Sequence, residues 1–214
     1  KHGAILIEDA AESLGSLYKG KQTGTFGKYG IYSFNGNKII TTSGGGMLVS
    51  DDKEKIEKVK FWATQAREKA MYYEHKEIGY NYRMSNICAG IGRGQMKVLD
   101  ERIAQKTAIY ERYKETLEKD NDFEMIPIPN DSVPNHWLSV AIVKNKEKYN
   151  PTQIIEMLST NNIEARRVWK PMHLQPVFKD CDFIKVEEMP VADYLFENGV
   201  CFPSDTKMTK EEQD

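Results

Sequence analysis

A short apolar run at residues 4–7, Ala-Ile-Leu-Ile, constrains the fold of this chain more than any other feature. It is followed at once by Glu8 and Asp9 and then by the stretch AAESLG at residues 10–15. An apolar run without alternation is typical of a strand covered on both faces, as in the parallel sheets of α/β proteins. We therefore predict a buried strand that leads into a helix start, with Asp9 at the carboxyl end of the strand, where open α/β sheets hold ligands. The alternative is that Glu8 and Asp9 are ordinary acids of a first helical turn, favoured there by the helix dipole.

A second stretch, SFNGNKIITTSGGGM at residues 33–47, places one lysine, Lys38, between a predicted strand and three consecutive glycines. An amine attacks a carbonyl carbon only when it is uncharged, so a lysine in a partly desolvated position suits covalent carbonyl chemistry. Glycines also allow the backbone to approach a ligand closely. By itself, such a stretch is more often a solvated lysine beside a turn. Asp9 strengthens the interpretation of Lys38 as a functional residue, because a carboxylate at a strand end can pair with the protonated ring nitrogen of pyridoxal phosphate.

Five segments together give the chain a resemblance to a known family. They are IEDAAESLG at residues 7–15, SFNGNKIITTSGGGM, GYNYRMSNICAGIGRGQM at residues 79–96, WKPMHLQPVF at residues 169–178, and VCFPS at residues 200–204. In this order they resemble the DegT/DnrJ/EryC1/StrS sugar aminotransferases, which are fold-type I pyridoxal-phosphate enzymes. The resemblance implies an α/β fold. Residues 1–98 would form part of a large cofactor-binding domain with a mostly parallel sheet, and residues 99–214 a linking helix and a small C-terminal α/β domain.

The resemblance assigns three residues to the ring of the cofactor, pyridoxal 5′-phosphate. Lys38 matches the lysine that joins the cofactor as an aldimine and then moves the proton between substrate and cofactor. Asp9 matches the acid that keeps the pyridine nitrogen protonated, so that the ring can accept electrons. Glu12 matches a residue near the ring hydroxyl, where relatives commonly carry glutamine or histidine. A carboxylate there has to be protonated or turned away, and the alternative for Glu12 is an ordinary surface glutamate.

Four further residues are assigned to phosphate groups and to the substrate. Ser33 matches a hydroxyl that hydrogen-bonds the cofactor phosphate, and Asn81 matches an amide that reaches the same phosphate from the neighbouring subunit of a homodimer. Arg83 matches a residue near the pyrophosphate of the nucleotide sugar, where a guanidinium gives bidentate contacts. His173 matches a histidine close to the substrate. A solvent-facing arginine and a structural histidine are the alternatives for the last two.

The reaction implied by the resemblance is transfer of an amino group, with glutamate as the expected donor, to a nucleotide-linked 4-keto-6-deoxy sugar. The segments TTSGGGM and WKPMHLQP most resemble the branch that acts on UDP-4-keto-6-deoxy-N-acetylglucosamine, on the way to bacillosamine-type sugars of glycans. Dehydratases of the same family carry histidine in place of the lysine, so Lys38 favours the aminotransferase reaction. The sequence leaves the sugar, the nucleotide and the donor open, because small pocket differences decide between them.

Composition favours a cytoplasmic protein without nucleic-acid or membrane partners. The chain has 30 basic and 32 acidic residues, a net charge of −2, and no apolar run long enough to span a membrane. Three widely spaced cysteines, at positions 88, 181 and 201, predict free thiols. The four histidines are scattered and predict no metal site.

At 214 residues, the chain is short for the family that it resembles. Its first residues lead straight into the apolar run, so we expect it to be the C-terminal portion of an aminotransferase. The phosphate-binding turn and the aromatic residue that stacks on the ring would then lie upstream of it. Such a portion is expected to be inactive alone and poorly soluble, because strand edges and apolar faces are left uncovered.

Periodicity and capping residues predict the remaining elements. A helix begins near Asp51 and continues into the aromatic-rich stretch that ends at residue 75, and a long helix spans residues 85–119 with Ser85 as its cap. The small residues of NICAGIGRGQM indicate close helix packing. The second half is predicted to have the order βαβα, with strand 136–144, helix 151–162, strand 163–171 and helix 191–199.

Three hypotheses of function remain open at this point. The first is a pyridoxal-phosphate sugar-nucleotide aminotransferase that acts as a homodimer. The second is a catalytically silent fragment that serves as a structural or interaction domain. The third is a phosphate-binding protein that uses the SGGG loop as an anion cradle and leaves Lys38 as a simple charge.

Overall fold

The computed structural model describes residues 2–119 and 121–214. Its strands are β1 (Ile7–Asp9), β2 (Leu17–Tyr18), β3 (Lys21–Gln22), β4 (Tyr29–Ser33), β5 (Gly46–Val49), β6 (Phe123–Met125), β7 (Ser132–Val133), β8 (Ser139–Val143), β9 (Arg166–Arg167) and β10 (Gly199–Phe202). Its α-helices are α1 (Lys53–Ala63), α2 (Asn86–Met96), α3 (Leu99–Leu117), α4 (Pro151–Thr160), α5 (Val191–Asn198) and α6 (Lys210–Gln213). Two single-turn 3₁₀ helices occur at Met172–Leu174 and Pro176–Phe178.

The chain divides into two compact units. The first comprises the chain up to Ala104 together with Ile128–Trp137, and the second comprises Gln105–Pro127 together with Leu138–Asp214. Both units combine helices with sheets, so the predicted α/β class is confirmed. The functional boundary after residue 98 stays a prediction.

The first unit is built on a three-stranded sheet with the order β1-β4-β5. β1 and β4 run parallel, whereas β4 and β5 run antiparallel and are joined by the loop at residues 34–45. Tyr32 of β4, Phe34, Ile40 and Leu99 form the buried apolar cluster of this unit. A second, antiparallel sheet has the order β3-β2-β7.

The apolar run at residues 4–7 is not buried, contrary to the prediction. A strand does form, at β1, but the side chains of Ile5, Leu6 and Ile7 are 69%, 55% and 59% exposed. A parallel strand is buried only when helices cover both faces of its sheet, and the helices of the described chain leave these side chains accessible. The helix start predicted after Asp9 is also wrong, because residues 11–15 form turns.

Glu8, the neighbour of Asp9, has a structural role that the sequence did not indicate. Its carboxylate accepts backbone hydrogen bonds from Gly24 (2.7 Å), Phe26 (2.6 Å) and Gly27 (2.5 Å). Burial acts to raise the pKa of Glu8, but the three backbone donors and the nearby Lys21 outweigh it and lower the pKa. Glu8 thereby ties the loop between β3 and β4 to β1.

Helix α1 begins at the predicted acidic residues but is shorter than predicted. Asp52 caps it, because the carboxylate accepts a hydrogen bond from the backbone N–H of Lys55 at 3.1 Å. The helix ends at Ala63, and Gln65 and Ala66 then adopt left-handed φ angles of 69° and 47°. The aromatic-rich stretch that follows is therefore a loop.

The single helix predicted over residues 85–119 is in fact two helices, α2 and α3. Ser85 caps α2 as predicted, with its Oγ accepting a backbone hydrogen bond at 3.2 Å. Helical hydrogen bonding is interrupted at residues 97–98. The predicted close packing of α2 is found at Gly92, where an added Cβ would lie 2.9 Å from Thr42 Cγ2, but not at Gly90 and Gly94, where it would meet no described atom within 4 Å.

The second unit contains a four-stranded sheet with the order β6-β8-β10-β9, in which every described strand pair is antiparallel. The buried residues Ile109, Tyr110 and Tyr113 of α3 form one apolar cluster with residues of this sheet. Ile154 of α4 packs in another cluster with Val143 and Val200. Helix α4 has the predicted bounds within two residues, with a proline in its first turn.

Strand β10 is buried and is an inner strand of the four-stranded sheet, and the sequence analysis missed it. The helix predicted over residues 191–199 ends at Asn198, so Gly199 already belongs to β10. Gly199 has an ordinary φ of −89° and is needed for close approach: a Cβ there would lie 2.4 Å from Val168 Cγ2 and 2.5 Å from the Leu195 carbonyl oxygen. The strand predicted over residues 163–171 is reduced to β9.

Within residues 2–119 and 121–214, no helix combines the length and the apolar character needed to cross a membrane. Nor does this described part of the chain bring three histidine, cysteine, aspartate or glutamate side chains together in a metal-binding group. All three cysteines are free thiols, as predicted. The cytoplasmic location stays a prediction.

Candidate active site

Lys38 lies in the loop at residues 34–45, which is held rigidly by its own buried residues. The backbone N–H of Phe34 donates to the carbonyl of Gly45, and the N–H of Thr42 donates to the carbonyl of Phe34, both at 2.9 Å. Ile40 and Thr42 are each 1% exposed and fix the loop in the core. The loop therefore presents Lys38 from a fixed backbone.

Two of the three glycines after Lys38 have local structural reasons. Gly45 adopts a φ of +97°, a left-handed conformation that suits glycine. A Cβ at Gly46 would lie 2.5 Å from the carbonyl oxygen of Tyr32, the residue before its pairing partner Ser33 on β4. The closure of the hairpin thus explains Gly45 and Gly46, whereas a Cβ at Gly44 would meet no described atom within 4 Å.

The amine of Lys38 lies between a carboxylate and an indole ring. Lys38 Nζ is 2.9 Å from Glu12 Oε1 and 4.5 Å from the ring centroid of Trp137. The Lys38 side chain is 12% exposed, whereas that of Glu12 is 50% exposed. Lys38 is therefore a largely covered cation, not the solvated surface lysine of the alternative interpretation.

Asp9 and Ser33 lie at the same edge of the first sheet. They end the parallel strands β1 and β4, whose carboxyl ends meet at one edge. Asp9 is exposed, and its Oδ1 accepts a hydrogen bond from the N–H of Ala11 at 3.1 Å. Ser33 Oγ accepts a hydrogen bond from the N–H of Asn35 at 3.3 Å, which leaves the hydroxyl hydrogen to donate elsewhere.

Two residues from a distant part of the chain complete this cluster, and sequence reasoning missed both. The buried Asn135 donates through Nδ2 to the carbonyls of Glu12 (2.9 Å) and Leu14 (3.0 Å). Trp137 donates through Nε1 to the carbonyl of Asn37 at 2.6 Å. No spacing rule could have found them, because they follow Lys38 by about a hundred residues and only the fold brings them together.

Asn81 and Arg83 lie in the loop that follows α1, and both side chains are exposed. The loop is tied to α1 through its backbone, because Tyr80 N donates to the Trp62 carbonyl at 2.7 Å and Arg83 N donates to the Ala63 carbonyl at 3.2 Å. Among the described residues, no hydrogen bond or ion pair joins either side chain to Lys38. Their assignment to phosphate and pyrophosphate stays a prediction.

His173, the remaining predicted site residue, belongs to the second unit and lies in the first 3₁₀ turn. Its ring stacks on Phe183 with a centroid distance of 3.7 Å. His173 Nε2 lies 2.7 Å from Asp193 Oδ1, although the two atoms are not aligned as a hydrogen bond. Both side chains are largely buried, so a structural role for His173 is directly supported, while its substrate role stays a prediction.

The carboxyl ends of β1 and β4 and the loops that follow them carry four groups with a definite chemical capacity: Asp9, Glu12, Ser33 and Lys38. Lys38 provides a nucleophilic nitrogen, and Glu12 provides an oxygen within proton-transfer distance of it. Asp9 offers an exposed carboxylate to a cationic N–H group, and Ser33 offers a hydroxyl donor to an anion. These are the groups required by a phosphorylated ligand that carries a carbonyl carbon and a protonated ring nitrogen.

Comparisons with known proteins agree with this chemistry. The model of the DegT/DnrJ/EryC1/StrS aminotransferase family matches residues 1–214. The chain is 51% identical over 213 residues to EpsN of Bacillus subtilis (strain 168), whose name provisionally assigns it as a pyridoxal phosphate-dependent aminotransferase; the match covers 99% of this chain and 54% of EpsN.

A second relative is the UDP-4-amino-4,6-dideoxy-N-acetyl-beta-L-altrosamine transaminase of Campylobacter jejuni subsp. jejuni serotype O:23/36 (strain 81-176). It is 38% identical over 175 residues, which are 81% of this chain and 46% of the transaminase. The chain thus spans about half the length of the curated relatives that it matches.

Among solved structures, the fold is similar to that of PseC from Helicobacter pylori, an aminotransferase involved in the biosynthesis of pseudoaminic acid. The TM-score is 0.89 at 23% identity, and the match covers 99% of this chain and 57% of PseC. At this identity the likeness concerns the fold alone.

Proposed function

Because the chain belongs to the DegT/DnrJ/EryC1/StrS aminotransferase family, we propose that the protein it forms transfers an amino group to a nucleotide-linked 4-keto-6-deoxy sugar. Pyridoxal 5′-phosphate is the proposed cofactor, and Lys38 is its proposed covalent anchor. One observation carries the proposal: the Lys38 side chain is 12% exposed and its amine lies 2.9 Å from the Glu12 carboxylate, in a loop that directly follows a strand end.

The residues present fit the chemistry of this cofactor. Lys38 would hold its carbonyl carbon, Asp9 would accept the hydrogen bond of its ring nitrogen, and Ser33 would donate to its phosphate. When bound, pyridoxal phosphate supplies an electron sink for the carbon that exchanges its amino group. The exposed carboxylate of Asp9 and the hydroxyl hydrogen of Ser33 support these two roles.

Glu12 has a role in handling the proton of Lys38. The Lys38 amine must lose a proton before its nitrogen can attack a carbonyl carbon. Glu12 Oε1 is the carboxylate oxygen at hydrogen-bond distance, 2.9 Å from Nζ, so it can hold that proton. Glu12 is also exposed enough to exchange the proton with solvent. This role differs from contact with the ring hydroxyl, which the family resemblance implies for the same residue.

The substrate is proposed to be a nucleotide sugar, with glutamate as amino donor. Arg83 would contact the pyrophosphate, since its guanidinium is exposed and its backbone is anchored to α1. His173 would lie near the substrate. The segments TTSGGGM and WKPMHLQP favour UDP-4-keto-6-deoxy-N-acetylglucosamine within this class, and the Campylobacter relative is itself named as a transaminase of a UDP-linked sugar.

A homodimer with shared active sites belongs to the same proposal. Asn81 would reach the cofactor phosphate of the neighbouring subunit, and its side chain is exposed within its own chain. The surrounding loop exposes Tyr72, Ile78 and Tyr82, which a partner surface would cover.

A second candidate function is that these 214 residues alone are catalytically silent and form a structural or interaction domain. The exposure of Ile5, Leu6 and Ile7 favours it, because a functional sheet edge with this many accessible apolar side chains is unusual. Under this alternative, the Lys38 cluster would need further polypeptide before it could hold a cofactor.

The test is to incubate the chain with pyridoxal phosphate, fix the cofactor on its lysine with borohydride, and map the modified residue by peptide mass spectrometry. The proposal predicts modification concentrated on Lys38 and lost in Lys38→Ala. Lys28→Ala is the matched control, because Lys28 also pairs with a carboxylate, Asp52, at 2.9 Å. Modification that is scattered over several lysines and is unchanged in Lys38→Ala would favour the silent domain. Phosphate binding that persists in Lys38→Ala, with no covalent product, would favour the anion-binding hypothesis.

Amino transfer itself is tested with glutamate and either UDP- or GDP-linked 4-keto-6-deoxy sugars, with mass spectrometry of the sugar product. The proposal predicts an amino sugar with the UDP substrate and none with Lys38→Ala. Product from the GDP substrate alone would contradict the proposed nucleotide while leaving the reaction class intact.

A further inference from the structure

The segment Asn135-His136-Trp137 connects the two turns that carry Glu12 and Lys38. All three residues are buried, with 4%, 8% and 8% of their surface exposed. Asn135 binds the carbonyl of Glu12 through Nδ2, and its Oδ1 accepts the N–H of Trp137 at 3.0 Å. The backbone of this segment is thus fixed to the turn that holds Glu12.

Trp137 binds the other turn at two points. Its Nε1 donates to the carbonyl of Asn37, the residue directly before Lys38, at 2.6 Å. Its ring lies 4.5 Å from Lys38 Nζ, at a distance where an aromatic face attracts a cation. One side chain therefore fixes both the backbone position and the charged end of Lys38.

Trp137 and Glu12 together restrict the flexible side chain of Lys38. A lysine has four rotatable side-chain bonds and no preferred position when it is solvated. In this structure, the indole face covers one side of Nζ, and Glu12 Oε1 lies at 2.9 Å. Since Trp137 is itself held by Asn37 and Asn135, it cannot move away without breaking hydrogen bonds.

We propose that Trp137 is a positioning residue for Lys38: its indole ring holds the amine beside Glu12 and shields it from carbonyl reagents that are not bound in the site. The proposal deepens the proposed function and rests on it for the identity of the bound carbonyl compound. The positioning itself can be measured without that compound.

The first experiment measures the reactivity of Lys38 with a small probe. Formaldehyde with cyanoborohydride methylates lysine amines, and peptide mass spectrometry gives the rate at Lys38 relative to Lys28. In Trp137→Leu we expect this ratio to rise about fivefold or more, because the shield and the cation contact are both removed. In Trp137→Phe, which keeps an aromatic face, we expect the ratio to stay within about twofold of the parent.

Pyridoxal phosphate is the second probe and should respond in the opposite direction. If Trp137 positions the amine for a bound carbonyl compound, the borohydride-fixed yield at Lys38 falls in Trp137→Leu while methylation rises. General loosening of the fold would raise both. A parent chain that shows no selective pyridoxal phosphate labelling would contradict the proposed function, whereas the formaldehyde ratio would still decide the positioning role.

Trp62→Leu is the matched control. Trp62 also lies near a lysine ammonium, 5.3 Å from Lys58 Nζ, and also donates through Nε1, to Glu77 Oε2 at 2.7 Å. Trp62→Leu should leave the methylation rate of Lys38 relative to Lys28 unchanged. An equal rise in Trp62→Leu, or a ratio within twofold of the parent in Trp137→Leu, overturns the proposal.

A reverse measurement keeps the proposal falsifiable if Trp137→Leu does not fold. The chain has three tryptophans, so a Trp62→Phe, Trp169→Phe background leaves Trp137 as the single indole fluorophore. Replacing Lys38 by methionine there removes the cation and keeps the apolar stem. We expect the emission of Trp137 to change by about 20% or more, and an unchanged spectrum overturns the proposal.

Discussion

The ion pair of Lys38 and Glu12 has more chemical than structural significance. Its atoms are 2.9 Å apart, but the Glu12 side chain is half exposed, so water screens the attraction. Pairs of this kind contribute less than about 1 kcal/mol to stability. The effect of Glu12 on reactivity can be larger, because its carboxylate can take up the proton that the Lys38 amine must lose before it attacks a carbonyl carbon.

Replacing Glu12 by glutamine is therefore expected to leave stability nearly unchanged and to make Lys38 less reactive. The amide cannot take up the proton of the amine, so methylation of Lys38 by formaldehyde should become about threefold slower relative to Lys28. The free energy of unfolding should fall by less than about 1 kcal/mol. Peptide mass spectrometry and urea unfolding measure the two quantities.

Glu124→Gln is the control for this prediction, since Glu124 is also half exposed and pairs with Lys144 at 3.5 Å. It should change neither quantity. A faster reaction of Lys38 in Glu12→Gln would contradict the proton-accepting role proposed for Glu12.

Glu8 gives a prediction about pH. Burial acts to raise its pKa, but hydrogen bonds from Gly27, Gly24 and Phe26 dominate and hold the folded-state pKa below the ordinary value of 4.5. A depressed pKa means that the stabilisation is fully present above the unfolded-state value and is lost as the pH falls through the folded-state value. We expect Glu8→Gln to lower the melting temperature by several degrees at pH 7 and by much less at pH 3.

Thermal unfolding monitored by circular dichroism at both pH values tests this expectation. Glu54→Gln, on the exposed face of the first turn of α1, is the comparison because it lacks such backbone contacts. A loss that is equal at pH 7 and pH 3 would show that the shape of Glu8, and not its charge, holds the loop at residues 24–27.

At the scale of elements, substitutions at two glycines distinguish the effect of close packing on stability from the effect of helix propensity. Gly199 joins α5 to β10, and an added Cβ would lie within 2.5 Å of two neighbouring atoms. Gly90 lies within α2, where an added Cβ meets no described atom within 4 Å. We expect Gly199→Ala to cost about 1–3 kcal/mol of unfolding free energy, whereas Gly90→Ala should add up to about 1 kcal/mol through better helix propensity.

Urea unfolding of the two variants checks the contrast. A destabilising Gly90→Ala would show that another surface packs closely against α2 in solution, as the small residues of NICAGIGRGQM originally suggested. A neutral Gly199→Ala would show that Val168 and the end of α5 can move apart at little cost.

Besides its backbone hydrogen bonds, one carboxylate attaches the loop that carries Asn81 and Arg83 to α1. Glu77 Oε2 accepts the indole N–H of Trp62 at 2.7 Å, and Glu77 also pairs with Lys58. These two hydrogen bonds lower the pKa of Glu77. In Glu77→Gln we expect trypsin to cleave at Arg67, Lys69 and Lys76 about fivefold faster, because the loop opens more often.

Glu57→Gln is the control, because Glu57 lies in α1 and is only loosely paired with Lys53, at 3.9 Å. It should leave the cleavage rate unchanged. Equal rates in the parent and Glu77→Gln would mean that the backbone hydrogen bonds between the loop and α1 hold the loop without Glu77.

Local signals in the sequence were sufficient for some elements and insufficient for others. Ser85, Asp52 and Pro151 mark helix starts correctly, because caps and first-turn prolines act within a few residues. β10 was missed since its four residues, three of them buried, directly follow a helix and resemble a helix end. Lys38 and Asp9 could be singled out from their chemistry, but the contacts of Lys38 with Trp137 depend on chain segments about a hundred residues apart.

At the scale of the whole molecule, the apolar run that the sequence predicted to be buried is exposed on an edge strand. Ile5 lies just before β1 and Ile7 is its first residue, and β1 is an edge strand of the first sheet. An accessible apolar edge strand presents unpaired backbone groups that can pair with another chain. We therefore expect the 214-residue chain to self-associate through β1 when it is studied by itself.

Sedimentation velocity over a range of concentrations tests this expectation with two matched double variants. Ile5→Lys with Ile7→Lys places one charge at the start of β1 and one two residues before it. Ile184→Lys with Val186→Lys places two charges, at the same spacing, on residues of the second unit that are 88% and 96% exposed. Pairing through β1 predicts that only the first variant reduces association, by about threefold or more, because charged side chains block edge pairing. An equal reduction of association in both double variants would indicate general hydrophobic attraction. A parent chain that stays monomeric at every concentration would show that the exposed strand is protected in solution by the rest of the chain.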